Sequence, residues 1–108
     1  MQPIHLEQLR PVLQSFEGKE VYVHTEVNPG AFLRNIRVEV ERAYISGEGT
    51  YRLALRLRGN GWIRTEQITH FNIDAGGRVF AAGYDEHYRI TTLLQIGLLP
   101  FNFEEEAS

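Results

Sequence analysis

With 108 residues and no cysteine, the chain is sized for one domain and excludes disulfide scaffolds, thiolate metal sites and cysteine nucleophiles. Hydrophobic residues make up 43% against 23% charged, enough for a packed core, and no apolar stretch is long enough for a membrane span or a signal peptide, so a cytoplasmic protein is expected. The net charge of −3 comes from the Glu104-Glu105-Glu106 run alone, leaving a neutral body without the positive field that nonspecific nucleic-acid binding needs.

The first predicted element is a helix at about residues 5–17. Leu6, Leu9, Val12, Leu13 and Phe16 recur at helical spacing, and Glu7, Gln8, Arg10 and Gln14 take the wet face. Pro11 lacks a donor and crowds the turn before it, so a kink or a restart is expected there, with Gly18 as the stop. From Glu20 the period becomes two. Val21, Val23 and Val27 alternate with Tyr22, His24 and Glu26, and Asn28-Pro29-Gly30 turns the chain. The next strand sets Phe32, Ile36, Val38 and Val40 on one face and Arg37, Glu39 and Glu41 on the other. After Ser46-Gly47-Glu48-Gly49, Tyr51, Leu53, Leu55 and Leu57 alternate with Arg52, Ala54, Arg56 and Arg58. Beyond the Gly59-Asn60-Gly61 turn, residues 62–74 read as one long or two short strands. Residues 78–84 and 88–96 supply the last two, divided by Asp85-Glu86-His87. Six to seven strands over 20–97, with glycine turns between neighbours, predict a mainly β fold (an all-β, antiparallel meander, curled or barrel-like to hide its edges) with one N-terminal α-helix. The domain is expected to span 1–103, with 104–108 as a short acidic tail.

Arg52, Arg56 and Arg58 share a strand face, and Arg64 lies just past the next turn. Such a row can meet phosphate or RNA. Pairing Ile45 with Thr50 across the turn, however, puts Val40 opposite Leu55 and Val38 opposite Leu57. The same register sets Glu39 opposite Arg56, and Glu41 diagonal to Arg52 and Arg56. The stripe then reads as a neutralised ion-pair ladder, and no nucleic-acid partner is expected.

Arg34 has the parity of Phe32, Ile36 and Val38, which aims it inward. A guanidinium there needs an anion, either a ligand carboxylate or phosphate or an internal acid, and Asn35 stands beside it. A bulge near Asn35 would instead turn Arg34 outward. His24 and His70 fall on polar strand faces, near Glu26, Asn72 and Asp85. Two imidazoles and a carboxylate suit zinc or acid–base chemistry. Neither H-x-H nor H-E-x-x-H spacing occurs, which favours surface or hydrogen-bonded structural histidines. His5 and His87 suit a helix start and a turn. No dinucleotide loop, Walker lysine or G-x-S-x-G elbow is present, so no cofactor or metal is expected. Trp62 and most Phe and Tyr residues fall at alternating positions, which assigns them to core packing or cross-strand pairing.

A succession of short motifs is also distinctive. Val21-Tyr22-Val23-His24, Gly30-Ala31-Phe32-Leu33-Arg34-Asn35 and Gly49-Thr50-Tyr51-Arg52-Leu53 are followed by Gly61-Trp62-Ile63, Thr69-His70-Phe71 and Gly77-Arg78. Then come Ala82-Gly83-Tyr84-Asp85, Leu94-Gln95 and Pro100-Phe101. Over residues 4–101 this order resembles the YojF-like family of small, functionally uncharacterised bacterial proteins. The resemblance implies an all-β fold and no known activity. It also implies a deacetylase partner, since members are often encoded beside one resembling those of low-molecular-weight thiol biosynthesis. Two features depart from the family pattern. The Asn28-Pro29-Gly30 connection is shorter than usual, and Tyr84 stands where a histidine often precedes the aspartate.

Together these observations favour a non-catalytic binding or accessory module, holding a small anionic ligand at Arg34 and Asn35 or docking on a partner deacetylase. The rival is a small enzyme or metal-binding protein using His24 and His70 with Glu26 or Asp85. Sheet edges and the Phe101-Asn102-Phe103 segment favour a homodimer.

Overall fold

The structure, a computed structural model, describes residues 1–102; Phe103 and the expected acidic tail lie outside the described residues. After a two-residue strand β1 (Gln2–Pro3), helix α1 (Leu6–Gln14) buries Leu9 and Leu13 and runs through Pro11 without a break. It is shorter than the apolar spacing suggested. The chain keeps winding in tighter i→i−3 turns, with Phe16 N–H donating to the Leu13 carbonyl at 3.1 Å. Phe16 is buried in this way, and Gly18 ends the winding at φ +82°, a conformation that favours glycine.

Seven strands follow: β2 (Glu20–Val27), β3 (Ala31–Glu48), β4 (Thr50–Leu57), β5 (Trp62–Ile68), β6 (His70–Ile73), β7 (Val79–Tyr84) and β8 (Ile90–Gly97). Their order is β1-β6-β7-β8-β2-β3-β4-β5, antiparallel throughout. Two meanders, β2–β5 and β6–β8, are thus joined by the β2–β8 pair. The mainly β, antiparallel class holds. The barrel does not: no ladder joins β1 to β5, and the sheet curls without closing.

The curl brings β5 against β7 and β8. The Thr92 hydroxyl donates to the Glu66 carbonyl at 3.1 Å. At Gly83 the backbones come so close that a Cβ would stand 2.2 Å from the Gln67 carbonyl oxygen. Inside the curl, Leu9, Leu13 and Phe16 meet apolar residues of both meanders, among them Val40, Leu55, Phe71 and Ile96. Each such side chain contributes about 1.5–3 kcal/mol on burial.

Strand β3 pairs along its first half with β2 and along its second with β4. Two bulges bend it. At the first, Arg34 and Asn35 together oppose His24, and Asn35 takes φ +52°. At the second, Glu41 is the extra residue between Val40↔Leu57 and Arg42↔Arg56. The Glu17 carboxylate stabilises that bend by accepting from the Ala43 N–H at 2.9 Å. Each bulge resets the alternation. Ile36 and Val38 share the face of Val23 and Val21, whereas Phe32 shares the opposite face with Glu26. Beyond Glu41 the buried positions become Ala43 and Ile45.

The β3–β4 register differs from the one the sequence suggests. Glu48 pairs with Thr50, so Ile45 lies opposite Leu53, Ala43 opposite Leu55 and Val40 opposite Leu57. The turn is tighter because Gly47 and Gly49, at φ +128° and +78°, let both strands run to the bend.

Candidate functional site

The two histidines singled out in the sequence do not meet. In the cross-strand row His70–Ala82–Leu93–Glu26, His70 and Glu26 are separated by three strand spacings, roughly 14 Å. His24 lies next to Glu26, one row further on. It is not a surface residue: it is only 1% exposed, with Nε2 3.1 Å from the Glu26 carboxylate and its ring 6.3 Å from that of Phe32. His70 sits towards the opposite end of the sheet, beside β1. Its Nδ1 is 2.7 Å from the Thr69 hydroxyl and its ring meets Tyr84 edge-on at 5.0 Å. Among the described residues no group of three His, Cys, Asp or Glu side chains is placed to hold a metal ion.

Asp85 serves its hairpin. One carboxylate oxygen accepts from the His87 and Arg89 backbone N–H groups, and the other accepts from Arg89 Nε at 3.1 Å. Those bonds, the Arg89 backbone N–H foremost, hold its carboxyl below the ordinary range.

Arg34 and Asn35 take roles set by the first bulge. Arg34 does not follow Ile36 and Val38 inward; its guanidinium lies 5.0 Å from the centre of the Phe32 ring, on the side of the sheet that carries His24. Asn35 is engaged within its own chain. Its side-chain amide donates to the Phe101 carbonyl and its side-chain oxygen accepts from the Phe101 N–H, both at 2.7 Å. One side chain thereby imitates the edge of a strand. It ties the C-terminal segment across this face, with the Phe101 ring buried against Phe80 and the Arg78 guanidinium 5.1 Å away.

An open groove lies elsewhere, on the outer face of β3, β4 and β5. Because the bulge at Glu41 turns Ala43 and Ile45 inward, Tyr44 points out. Across the small Ala54, Tyr44 stacks on Trp62 of β5, with ring centres 6.0 Å apart and planes at 29°. Both rings stay wet: Tyr44 is 47% exposed and Trp62 is 56% exposed. They edge a groove of about 860 Å³ that Ser46, Arg52 and Arg64 also line.

Arg52 and Arg64 converge on a single carboxylate, Glu66. Arg52 Nε lies 2.8 Å from both of its oxygens and Arg64 Nε 3.2 Å from one. The hydrogen bond from Arg52, with the charges of Arg52 and Arg64 behind it, holds the Glu66 carboxyl below its ordinary value. The same hydrogen bond raises Arg52 above its own. Since both arginines engage Glu66 through Nε, their Nη groups are left for another acceptor. The rest of the arginine stripe is paired as a ladder, with partners set by the observed register: Arg56 with Glu41 at 3.8 Å and Arg58 with Glu39 at 3.2 Å.

Sequence reasoning missed Tyr44, Ala54 and Trp62 as a group. An unbroken alternation carries Tyr44 inward with Val38 and Val40. The available signal was Ala54, a small residue between Arg52 and Arg56 at an outward position.

A family model described as protein of unknown function (DUF1806) matches residues 25–101. The chain is 30% identical to the uncharacterised protein YojF of Bacillus subtilis (strain 168), over 94% of this chain and 98% of that protein. The crystal structure of Bacillus subtilis YojF superposes with a TM-score of 0.84, covering 94% of this chain and 96% of that one.

Proposed function

The chain belongs to the DUF1806 family, and for it we propose a non-catalytic binding module that holds a small anionic ligand on the outer face of β3–β5. The observation carrying this reading is the half-exposed Tyr44–Trp62 pair beside two arginines that share one carboxylate. Aromatic rings left wet beside guanidinium groups are a common composition for recognition surfaces. Two positive charges against one negative leave a local excess of one, suited to a carboxylate or phosphate. The outer face is favoured over the Arg34 position because the Asn35 side chain is engaged by Phe101 and the Arg34 guanidinium lies over the Phe32 ring.

Titration with inorganic phosphate tests the reading. Trp62 is the single tryptophan, so its indole N–H resonance reports the groove directly. A saturable shift is expected in the parent chain and not in the Arg52→Ala/Arg64→Ala double variant. No shift, or the same shift in both, overturns the reading.

Two partner proposals use exposed apolar area. The deacetylase implied by the family resemblance would seat on the same aromatic face, and co-purification lost in Trp62→Ala tests it. The homodimer is supported by the exposed Val27, Phe32 and Leu33 near the β2–β3 turn. Phe101 is no longer an argument for it, being buried within its own chain. Light scattering at micromolar concentration giving 12.4 kDa overturns the dimer.

A further inference from the structure

The same groove carries a narrower inference, which rests on the reading above. We infer that it selects a ligand in which one flat aromatic ring bears a carboxylate or phosphate about 7 Å away.

The strand grid sets this spacing. Trp62 and Arg64 are two residues apart on β5 and point to the same face, as do Ala54 and Arg52 on β4. Two residues along a strand span about 7 Å. The backbone therefore sets the attachment points of the ring subsite and the charge subsite at this spacing, and the shared Glu66 carboxylate holds the two arginine side chains beside it. Ala54 makes the ring subsite. A larger residue there would fill the space beneath Tyr44 and Trp62, whereas a methyl group leaves a floor on which two rings stack.

The pair also offers surface to a third ring. The two ring centres stand 6.0 Å apart with planes at 29°, and both side chains are about half exposed, so each ring keeps a solvent-facing surface on which a ligand ring can stack.

The charge subsite has a built-in competitor in Glu66. A ligand anion reaches the Nη groups of Arg52 and Arg64 while Nε of each stays on Glu66. The anion must still approach a negative carboxylate, so a bare anion binds weakly and the ring supplies the remaining affinity. A compound with both parts is favoured over either part alone. This distinguishes the groove from a general anion site, and from an RNA-binding face, which would need a row of unmatched positive charge.

Calorimetric titration with 2-naphthyl phosphate, beside its two halves 2-naphthol and inorganic phosphate, tests the inference, with the Trp62 indole resonance followed in parallel. The naphthyl phosphate is expected to bind about tenfold or more tighter than phosphate. Trp62→Ala should abolish that advantage while leaving phosphate affinity unchanged. Glu66→Gln, by removing the competing charge, should tighten both anions by several-fold. An advantage below twofold, or one that survives Trp62→Ala, overturns the ring subsite and leaves the anion-binding reading standing. If neither anion binds, both fall. Both substitutions are at surface positions, and an unchanged melting curve confirms that each variant is folded.

Discussion

The outer face of β2, β8 and β7 and the outer face of β3, β4 and β5 carry similar materials, aromatic rings beside arginines, and are finished in opposite ways. On the first, the chain supplies its own cover: Phe101 lies on Phe80 under the Arg78 guanidinium, and the Asn35 amide holds its backbone from both sides. On the second, Tyr44 and Trp62 stack with their outer surfaces in water. A folded chain has the means to cover exposed rings with a few residues and one asparagine. Among the described residues it does so for one face only, and the arginines of the other are held by a carboxylate they share. The difference separates packing that is completed internally from the surface proposed above for a ligand.

The largest effect is expected where the cover is removed. Phe101→Ala should cost about 3–5 kcal/mol in chemical denaturation, as for other buried aromatic truncations. Trp62→Ala should stay within about 0.5 kcal/mol, the usual range for surface positions. Equal losses would erase the distinction between the two faces. Next comes the clamp. Asn35→Ala should cost about 1–3 kcal/mol, because two bonds to the Phe101 backbone are lost. Asn35→Gly sharpens this result by keeping the φ of +52° accessible while deleting the amide. A glycine variant as stable as the parent would move the effect from the clamp to the backbone.

The smallest effect is a titration on the open face. The folded state holds the Glu66 carboxyl below its ordinary value, chiefly through the Arg52 hydrogen bond. Its contribution is therefore complete above the unfolded carboxylate range and is lost as the pH falls through the lowered value. The Glu66 carboxyl carbon resonance should accordingly titrate at lower pH than an unpaired glutamate, and Arg52→Ala should raise its midpoint. A midpoint unmoved by that substitution would break the pairing. Because the group is solvent-exposed, global stability should respond little.

Much of this architecture is legible in the residues. The i, i+3, i+4 spacing of Leu6, Leu9 and Leu13 and the alternation of Leu53, Leu55 and Leu57 report a one-sided core, and burial follows the pattern at Leu9, Leu13, Leu53 and Leu55. Strand β3 is where that logic ends. A period of two survives only while the ladder is regular, and each bulge reverses its phase. Asn35 offered a faint warning, since asparagine tolerates positive φ better than most residues. Glu41 offered none, because what stabilises its bend is Glu17, a carboxylate far away in sequence. The candidate site inherits both changes of phase. The first, a bulge at Asn35 that the sequence left open as the alternative to an inward Arg34, takes Arg34 off the face of Ile36 and Val38, and the second, which the sequence did not suggest, turns Tyr44 outward. The Glu66 bridge was likewise out of reach, as it depends on Arg52 and Arg64 arriving from adjacent strands.

Strand β3 has a mechanical consequence as well. Asn35, which ties down the C-terminal segment, and Tyr44, which walls the open groove, are carried by the same uninterrupted strand. Eight residues of strand lie between them, and the bend at Glu41 makes the path shorter than the roughly 30 Å of a straight strand. A load placed on the groove is therefore borne along a single backbone to the fastening on the other side. The two halves of the molecule share a spar.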